Sequence, residues 1–149
     1  MNISSVTCTR KIDFAVGHRV YGHESKCAHV HGHNMSLFVT ARQRVTPTSL
    51  DRIGRVIDFS VLRDRIGGWV DEHWDHGMLL YEKDPLVKLW SVDLADHKCY
   101  VLPVNPTSEN VAKYILEVVG PQVLADTDVE LVSVVCYETS NCFATATLE

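Results

Sequence analysis

Residues 31–44 carry Met35, Leu37, Val39 and Ala41 on one parity, the period-two pattern of a half-buried strand. Residues 3–16 read as an earlier strand with mixed alternation. Pro47, Thr48, Ser49 and Gly54 then mark residues 42–55 as a turn-rich connection. From Asp58 the period changes: Phe59, Leu62, Ile66, Trp69, Val70 and His73 fall at helical spacing, predicting an amphipathic helix through about Trp74. Gly67 and Gly68 inside it each cost roughly 1 kcal/mol of intrinsic helicity, which packing must offset. Residues 77–105 read as irregular, with Asp84-Pro85 as a turn and Cys99–Leu102 as a short strand.

A second helix is expected from Thr107, which can cap it, with Glu109 in the first turn where the helix dipole favours an acid. Val111, Ala112, Ile115, Leu116 and Val119 form its buried stripe, and Gly120-Pro121 is expected to stop it. Residues 129–138 and 143–148 read as strands joined by residues 139–142. The order predicts one α+β domain over residues 1–149, an antiparallel β-sheet with two helices on one face. Residues 131–136 are apolar on both parities, so the sheet's second face is expected to be covered, most simply by another subunit.

Composition narrows the function. The 149 residues are 46% hydrophobic and 22% charged, ordinary for a soluble domain with a real core. A net charge of −5 argues against broad nucleic-acid binding, which needs a basic footprint. No apolar run reaches membrane-spanning length, and the opening residues lack the basic start and apolar core of a signal peptide. Five cysteines without a close C-x-x-C pair predict reduced thiols and a cytoplasmic protein.

The chemistry concentrates in Cys27-Ala-His-Val-His31-Gly-His33, with His18 upstream. His31 and His33 project from the same strand face, and a third imidazole from a neighbouring strand would complete a facial set for zinc. Cys27, four residues before His31, is either a fourth ligand closing a structural tetrahedron or a free thiol acting as base or nucleophile. Asp75-His76 is either an acid–base dyad or a solvated loop pair. Glu138, ending an apolar strand, is either a charge in water or a carboxylate accepting two parallel N–H bonds from a guanidine-like ligand edge. His73 reads as a core or rim histidine. His23, His29 and His97, and the thiols of Cys8, Cys99, Cys136 and Cys142, receive no role.

Together these elements resemble the 6-pyruvoyl-tetrahydropterin synthase superfamily, and more closely its 6-carboxy-tetrahydropterin synthase branch. Phe14-Ala-Val-Gly-His18-Arg-Val is similar to the family's first metal motif, and Cys27-x-x-x-His31-Gly-His33 matches the cysteine spacing of the carboxy branch. Val56-Ile-Asp58-Phe59-Ser-Val-Leu62, Asp75-His76, Pro106-Thr107-Ser108-Glu109-Asn110 and Tyr137-Glu138-Thr139 follow in the family's order. Leu80 stands near a place where the family usually has asparagine. The resemblance implies the T-fold, assembled as a hexamer (a pair of trimers) with active sites between subunits. It implies zinc on His18, His31 and His33, catalysis by Cys27 with Asp75 and His76, and a pterin ring anchored by Glu138 beside Thr107 and Ser108. The implied substrate is 7,8-dihydroneopterin triphosphate, and the implied products are 6-carboxy-tetrahydropterin, acetaldehyde and triphosphate, a step toward queuosine. The rivals are elimination to the 6-pyruvoyl product and a non-catalytic pterin- or zinc-binding module. Lys26 and Arg19 are candidates for the triphosphate.

Overall fold

A computed structural model describes residues 1–149. Strand β1, Cys8–His18, pairs antiparallel with β2, His31–Gln43, in a register that sets His18 opposite His31 and Val16 opposite His33. The buried parity of β1 (Ile12, Phe14, Val16, His18) and that of β2 (Met35, Leu37, Val39, Ala41) face the same side, so the histidines continue the apolar face. The first strand therefore begins five residues later than its sequence pattern suggested, at Cys8 instead of Ile3.

Helix α1, residues 59–73, starts where the Asp58 carboxylate accepts the Ser60 N–H at 2.8 Å. Its middle, Arg63–Gly67, widens into a π turn, and bare Gly67 lies against Ile12 of β1. Leu62, Ile66, Val70 and Trp74 bury fully on the sheet. Strand β3, Gly77–Tyr81, helix α2, Leu86–Val92, and strand β4, Cys99–Leu102, follow. Helix α3, residues 108–123, is capped by Thr107, whose hydroxyl accepts the Asn110 N–H. Strands β5, Val129–Tyr137, and β6, Phe143–Thr147, close the chain.

The sheet order is β4-β3-β1-β2-β5-β6. The antiparallel expectation holds for β1, β2, β5 and β6, but β3 runs parallel to both β1 and β4, so the sheet is mixed. The supposedly irregular 77–105 segment supplies β3 and a third helix. Met78, Leu79 and Leu80 are all buried, and a short strand covered on both faces shows no alternation. Helix α2 buries none of its residues, so it has no apolar stripe to betray it.

Helix α3 also runs through Gly120-Pro121 instead of stopping there. Residues Ile115–Val119 form a π turn in which Gly120 donates to the Ile115 carbonyl, and proline, lacking an N–H, follows that widened turn without losing an ordinary ladder bond. A Cβ at 120 would lie 2.8 Å from Leu131 Cδ1 and 3.1 Å from the Ile115 carbonyl oxygen, so a larger residue there would force Leu131 to shift. A register shift at Thr40/Ala41 turns both Leu131 and Val132 inward, which accounts for part of the doubly apolar pattern of β5. No helix is long and apolar enough to cross a membrane.

Candidate functional site

At the end of β1 and the start of β2 the rings of His18, His31 and His33 converge, with centroids 4.6, 5.2 and 4.8 Å apart. His18 is fully buried, and its Nδ1 lies 2.7 Å from the Pro106 carbonyl. A carbonyl can only accept, so that nitrogen carries the proton and Nε2 presents a lone pair. His31 Nδ1 meets the His29 carbonyl at 2.6 Å, with the same result. Burial, partly opposed by the Pro106 bond and by Glu138, lowers the pKa of His18 and keeps its ring neutral.

Glu138, at the end of β5, reaches into the cluster: its Oε1 lies 2.8 Å from His33 Nε2 and 3.4 Å from His18 Nε2. Ser108 Oγ donates to its other oxygen at 3.0 Å. The four ligand atoms of His18, His31, His33 and Glu138 all lie within 4.8 Å of one another. Yet the buried Nε2 atoms of His18 and His33 lack hydrogen-bond geometry to any partner. Leaving such a nitrogen unpaired costs about 1–3 kcal/mol, and a cation among these lone pairs removes that cost. Backbone carbonyls fixing the outer nitrogens are the usual support of metal-bound imidazoles. The donor set fits a borderline ion such as zinc.

Cys27 lies in a short 3-10 turn, Lys26–Ala28, and is not among the clustered ligand groups. It lines a cavity of ≈ 210 Å³ together with Thr107, Ser108 and Glu138. His23, Glu109 and Cys142 line it too. Sequence reasoning gave His23 and Cys142 no role, since spacing does not reveal how the loop after β1 folds back. His23 Nδ1 accepts the Ser25 N–H at 2.9 Å, which leaves Nε2 as the protonated nitrogen. The loop is pinned by Asn105, whose side chain accepts from the Tyr21 N–H at 2.9 Å and donates to the Tyr21 carbonyl at 3.0 Å. Arg19, one of the triphosphate candidates, instead grips the buried Asp84 carboxylate with two nitrogens, so its charge is already committed.

The Asp75–His76 pair does touch: His76 Nδ1 lies 2.8 Å from Asp75 Oδ2, and Asp75 Oδ1 accepts the Ala15 N–H at 2.9 Å. Burial works to raise the Asp75 pKa but is outweighed by the bonds from Ala15 and His76, leaving it below the usual carboxylate range. His76 adopts a left-handed backbone (φ 60°) and is 80% exposed at its side chain. It lines a hollow with Ala15, Val16, Gly17, Gly32, His33 and Asn34 at the edge of the histidine cluster, and Cys27 is not among the lining residues. Within one chain the pair and Cys27 therefore line separate hollows. His73 packs on Trp69, centroids 4.6 Å apart, as a rim histidine. Leu80 is fully buried core.

Comparison with known proteins accords with this geometry. The family model for 6-pyruvoyl tetrahydropterin synthase matches residues 7–149. The chain is 35% identical over 138 residues, 93% of its length and 97% of the relative's, to 6-carboxy-5,6,7,8-tetrahydropterin synthase of Rickettsia bellii. An uncharacterized protein of Wolinella succinogenes shares the fold at a TM-score of 0.79 and 24% identity, covering 97% of this chain and 98% of that one. The 6-pyruvoyl tetrahydropterin synthase of Caenorhabditis elegans superposes at 0.63 with 25% identity, covering 97% and 96%. With this match across nearly the whole sequence and the T-fold shared by its neighbours, the chain belongs to the 6-pyruvoyl tetrahydropterin synthase family.

Proposed function

We propose that the protein is a zinc-dependent carbon–oxygen lyase converting 7,8-dihydroneopterin triphosphate to 6-carboxy-5,6,7,8-tetrahydropterin, acetaldehyde and triphosphate, in 7-deazaguanine and queuosine biosynthesis. The carboxy product is favoured over the pyruvoyl one because relatives bearing the carboxy name match at 35% and 34% identity over 93% of the chain. The observation that carries the reading is the place of Cys27, in one cavity with Glu138, Thr107 and Ser108 and outside the neighbouring histidine cluster.

His18, His31 and His33 would hold the ion, which when bound supplies Lewis-acid stabilisation of charge developing on the substrate's side-chain oxygens. Glu138 accepts N–H bonds from the amino-pyrimidine edge of the pterin, steadied by Ser108, and so positions the ring between Thr107 and Cys27. Cys27 moves a proton at the side-chain carbon next to the ring. His76 delivers or accepts the complementary proton at Nε2, while Asp75 holds its Nδ1–H and so fixes the ring's orientation. Since the dyad and Cys27 line separate hollows of one chain, the dyad serves the cavity of a second copy, in a hexamer built as a pair of trimers. In a cytoplasm the Cys27 thiol stays reduced and competent.

The test is to incubate zinc-loaded protein with dihydroneopterin triphosphate and weigh the products. Release of acetaldehyde with a 6-carboxy pterin is the expected result. A pterin that keeps its side-chain carbons would replace the reading by the pyruvoyl activity, and substrate bound without turnover would replace it by a binding module.

A further inference from the structure

We propose that Lys98 is the positioning residue of the Asp75–His76 pair, holding the peptide between them so that the imidazole is presented in its left-handed pose. The inference rests on the catalytic reading of that pair. Three hydrogen bonds converge on it. The Lys98 ammonium donates to the Asp75 carbonyl at 2.7 Å and to the Asp71 carbonyl at 2.8 Å. The His76 N–H, at the other end of the same peptide unit, donates to the Ala15 carbonyl at 2.6 Å. The peptide that joins the two dyad residues is thus clamped at both its polar ends.

The backbone conformation explains why a clamp is needed. A non-glycine residue at φ 60° sits in a sparsely populated region and persists only where its surroundings enforce it. Here the strain falls on His76, the residue that must aim a ring nitrogen. Glycine follows directly, and it leaves the lane along which the lysine stem runs: a Cβ at Gly77 would lie 3.0 Å from Lys98 Cγ and 3.2 Å from its Cδ. The lysine's own backbone is fixed as well, its carbonyl accepting the Met78 N–H at 3.0 Å across the sheet.

Electrostatics add to the geometry. The carbonyls of Asp71 and of the residues after it end helix α1 without partners in the helical ladder, and a cation is favoured at that end of the dipole. Both oxygens that Lys98 meets are neutral carbonyls, so its charge is not cancelled by a carboxylate. That charge is one of the influences holding Asp75 ionised, and an ionised Asp75 is what fixes the His76 tautomer. Lys98 touches neither the histidine cluster nor the cavity of Cys27.

The experiment compares Lys98→Met, which keeps the stem and removes the donors, with Lys98→Arg, which restores donors to the two carbonyls. In the full-length zinc-loaded oligomer, Lys98→Met is expected to lower kcat by about 10- to 100-fold with KM changed by less than about twofold, the pattern of a misaimed group and not of lost binding. Zinc content and circular dichroism stay at wild-type values, since the side chain is exposed. Lys98→Arg returns kcat to within about threefold of wild type. Independently of turnover, the 15N spectrum of His76 should show protonation mainly at Nδ1 in the wild type and a mixture of tautomers in Lys98→Met. An unchanged His76 spectrum in that variant overturns the assignment, as does an unchanged kcat. If the wild type fails to turn over the pterin triphosphate, the functional reading falls and the spectrum alone decides the role of Lys98.

Discussion

The histidine cluster and the Asp75–His76 pair are attached to the same strand, β1, but by opposite means. His18 is buried, sits on a regular strand, and has its outer nitrogen held by a backbone carbonyl from the segment before α3. His76 is 80% exposed, occupies a strained turn, and depends on a neighbouring side chain and on Ala15 for its orientation. A group that binds a cation gains from desolvation and fixed lone pairs. A group that exchanges protons with a substrate brought by another copy must remain open to that copy. On the proposed reading, one chain completes the ion site and the ring anchor but only half of the proton machinery, and the contrast between the two regions is what that division of labour requires.

The most severe way to break this comparison is Cys27→Ala. It is expected to reduce turnover by about 1,000-fold or more, the scale of a lost acid–base group. Zinc measured by atomic emission should stay at one ion per chain's worth of wild-type signal. Loss of the metal with the thiol would mean that Cys27 belongs to the cluster and that the two regions were drawn wrongly.

A complementation experiment sharpens the division between the two hollows. Cys27→Ala and His76→Ala are each expected to be inactive as pure oligomers. Unfolded together and refolded at equal ratio, they should regain about a quarter of wild-type activity, because random assembly gives that fraction of sites an intact group from each copy. Recovery at the level of the separate variants would place both groups in the same chain's site.

The smallest of these effects concerns the base of the Cys27 loop. Arg19 follows His18 directly, and Asp84 lies just beyond the end of β3, so their ion pair bolts the histidine end of β1 to the end of the strand that the dyad begins. Burial alone would raise the Asp84 pKa, but the guanidinium bonds and the Leu86 N–H hold it below the ordinary carboxylate value. A depressed folded-state pKa means stabilisation that is full above the unfolded value and lost as pH falls through the folded one. Asp84→Asn should therefore cost about 3 kcal/mol at pH 7 in urea unfolding, and the difference should shrink below about pH 4. A cost that is constant with pH would show that packing, not the charge, fastens the two regions.

How far the sequence foretold these regions follows from which atoms build them. Side-chain patterns were legible: the alternation of β2 carried His31 and His33, Asp58 and Thr107 announced their helices, and Asp75 does bond His76. Backbone atoms were not. The Pro106 and His29 carbonyls that set the tautomers, and the Asp75 carbonyl that Lys98 holds, belong to groups every residue possesses. Strand β3 and helix α2 were hidden for complementary reasons, one buried on both faces and the other on none. The parallel pairing of β3 beside β1 depends on a long-range crossover that no local period records. Pro121 misled because a widened turn absorbs its missing N–H.

The measurement that bears most directly on the whole account is X-ray absorption at the zinc edge of the metal-loaded protein. Imidazole nitrogens from His18, His31 and His33, with only nitrogen and oxygen scatterers at about 2.0–2.2 Å, are the expected first shell. A sulfur scatterer at about 2.3 Å would put Cys27 on the metal and contradict the division of labour between ion and thiol.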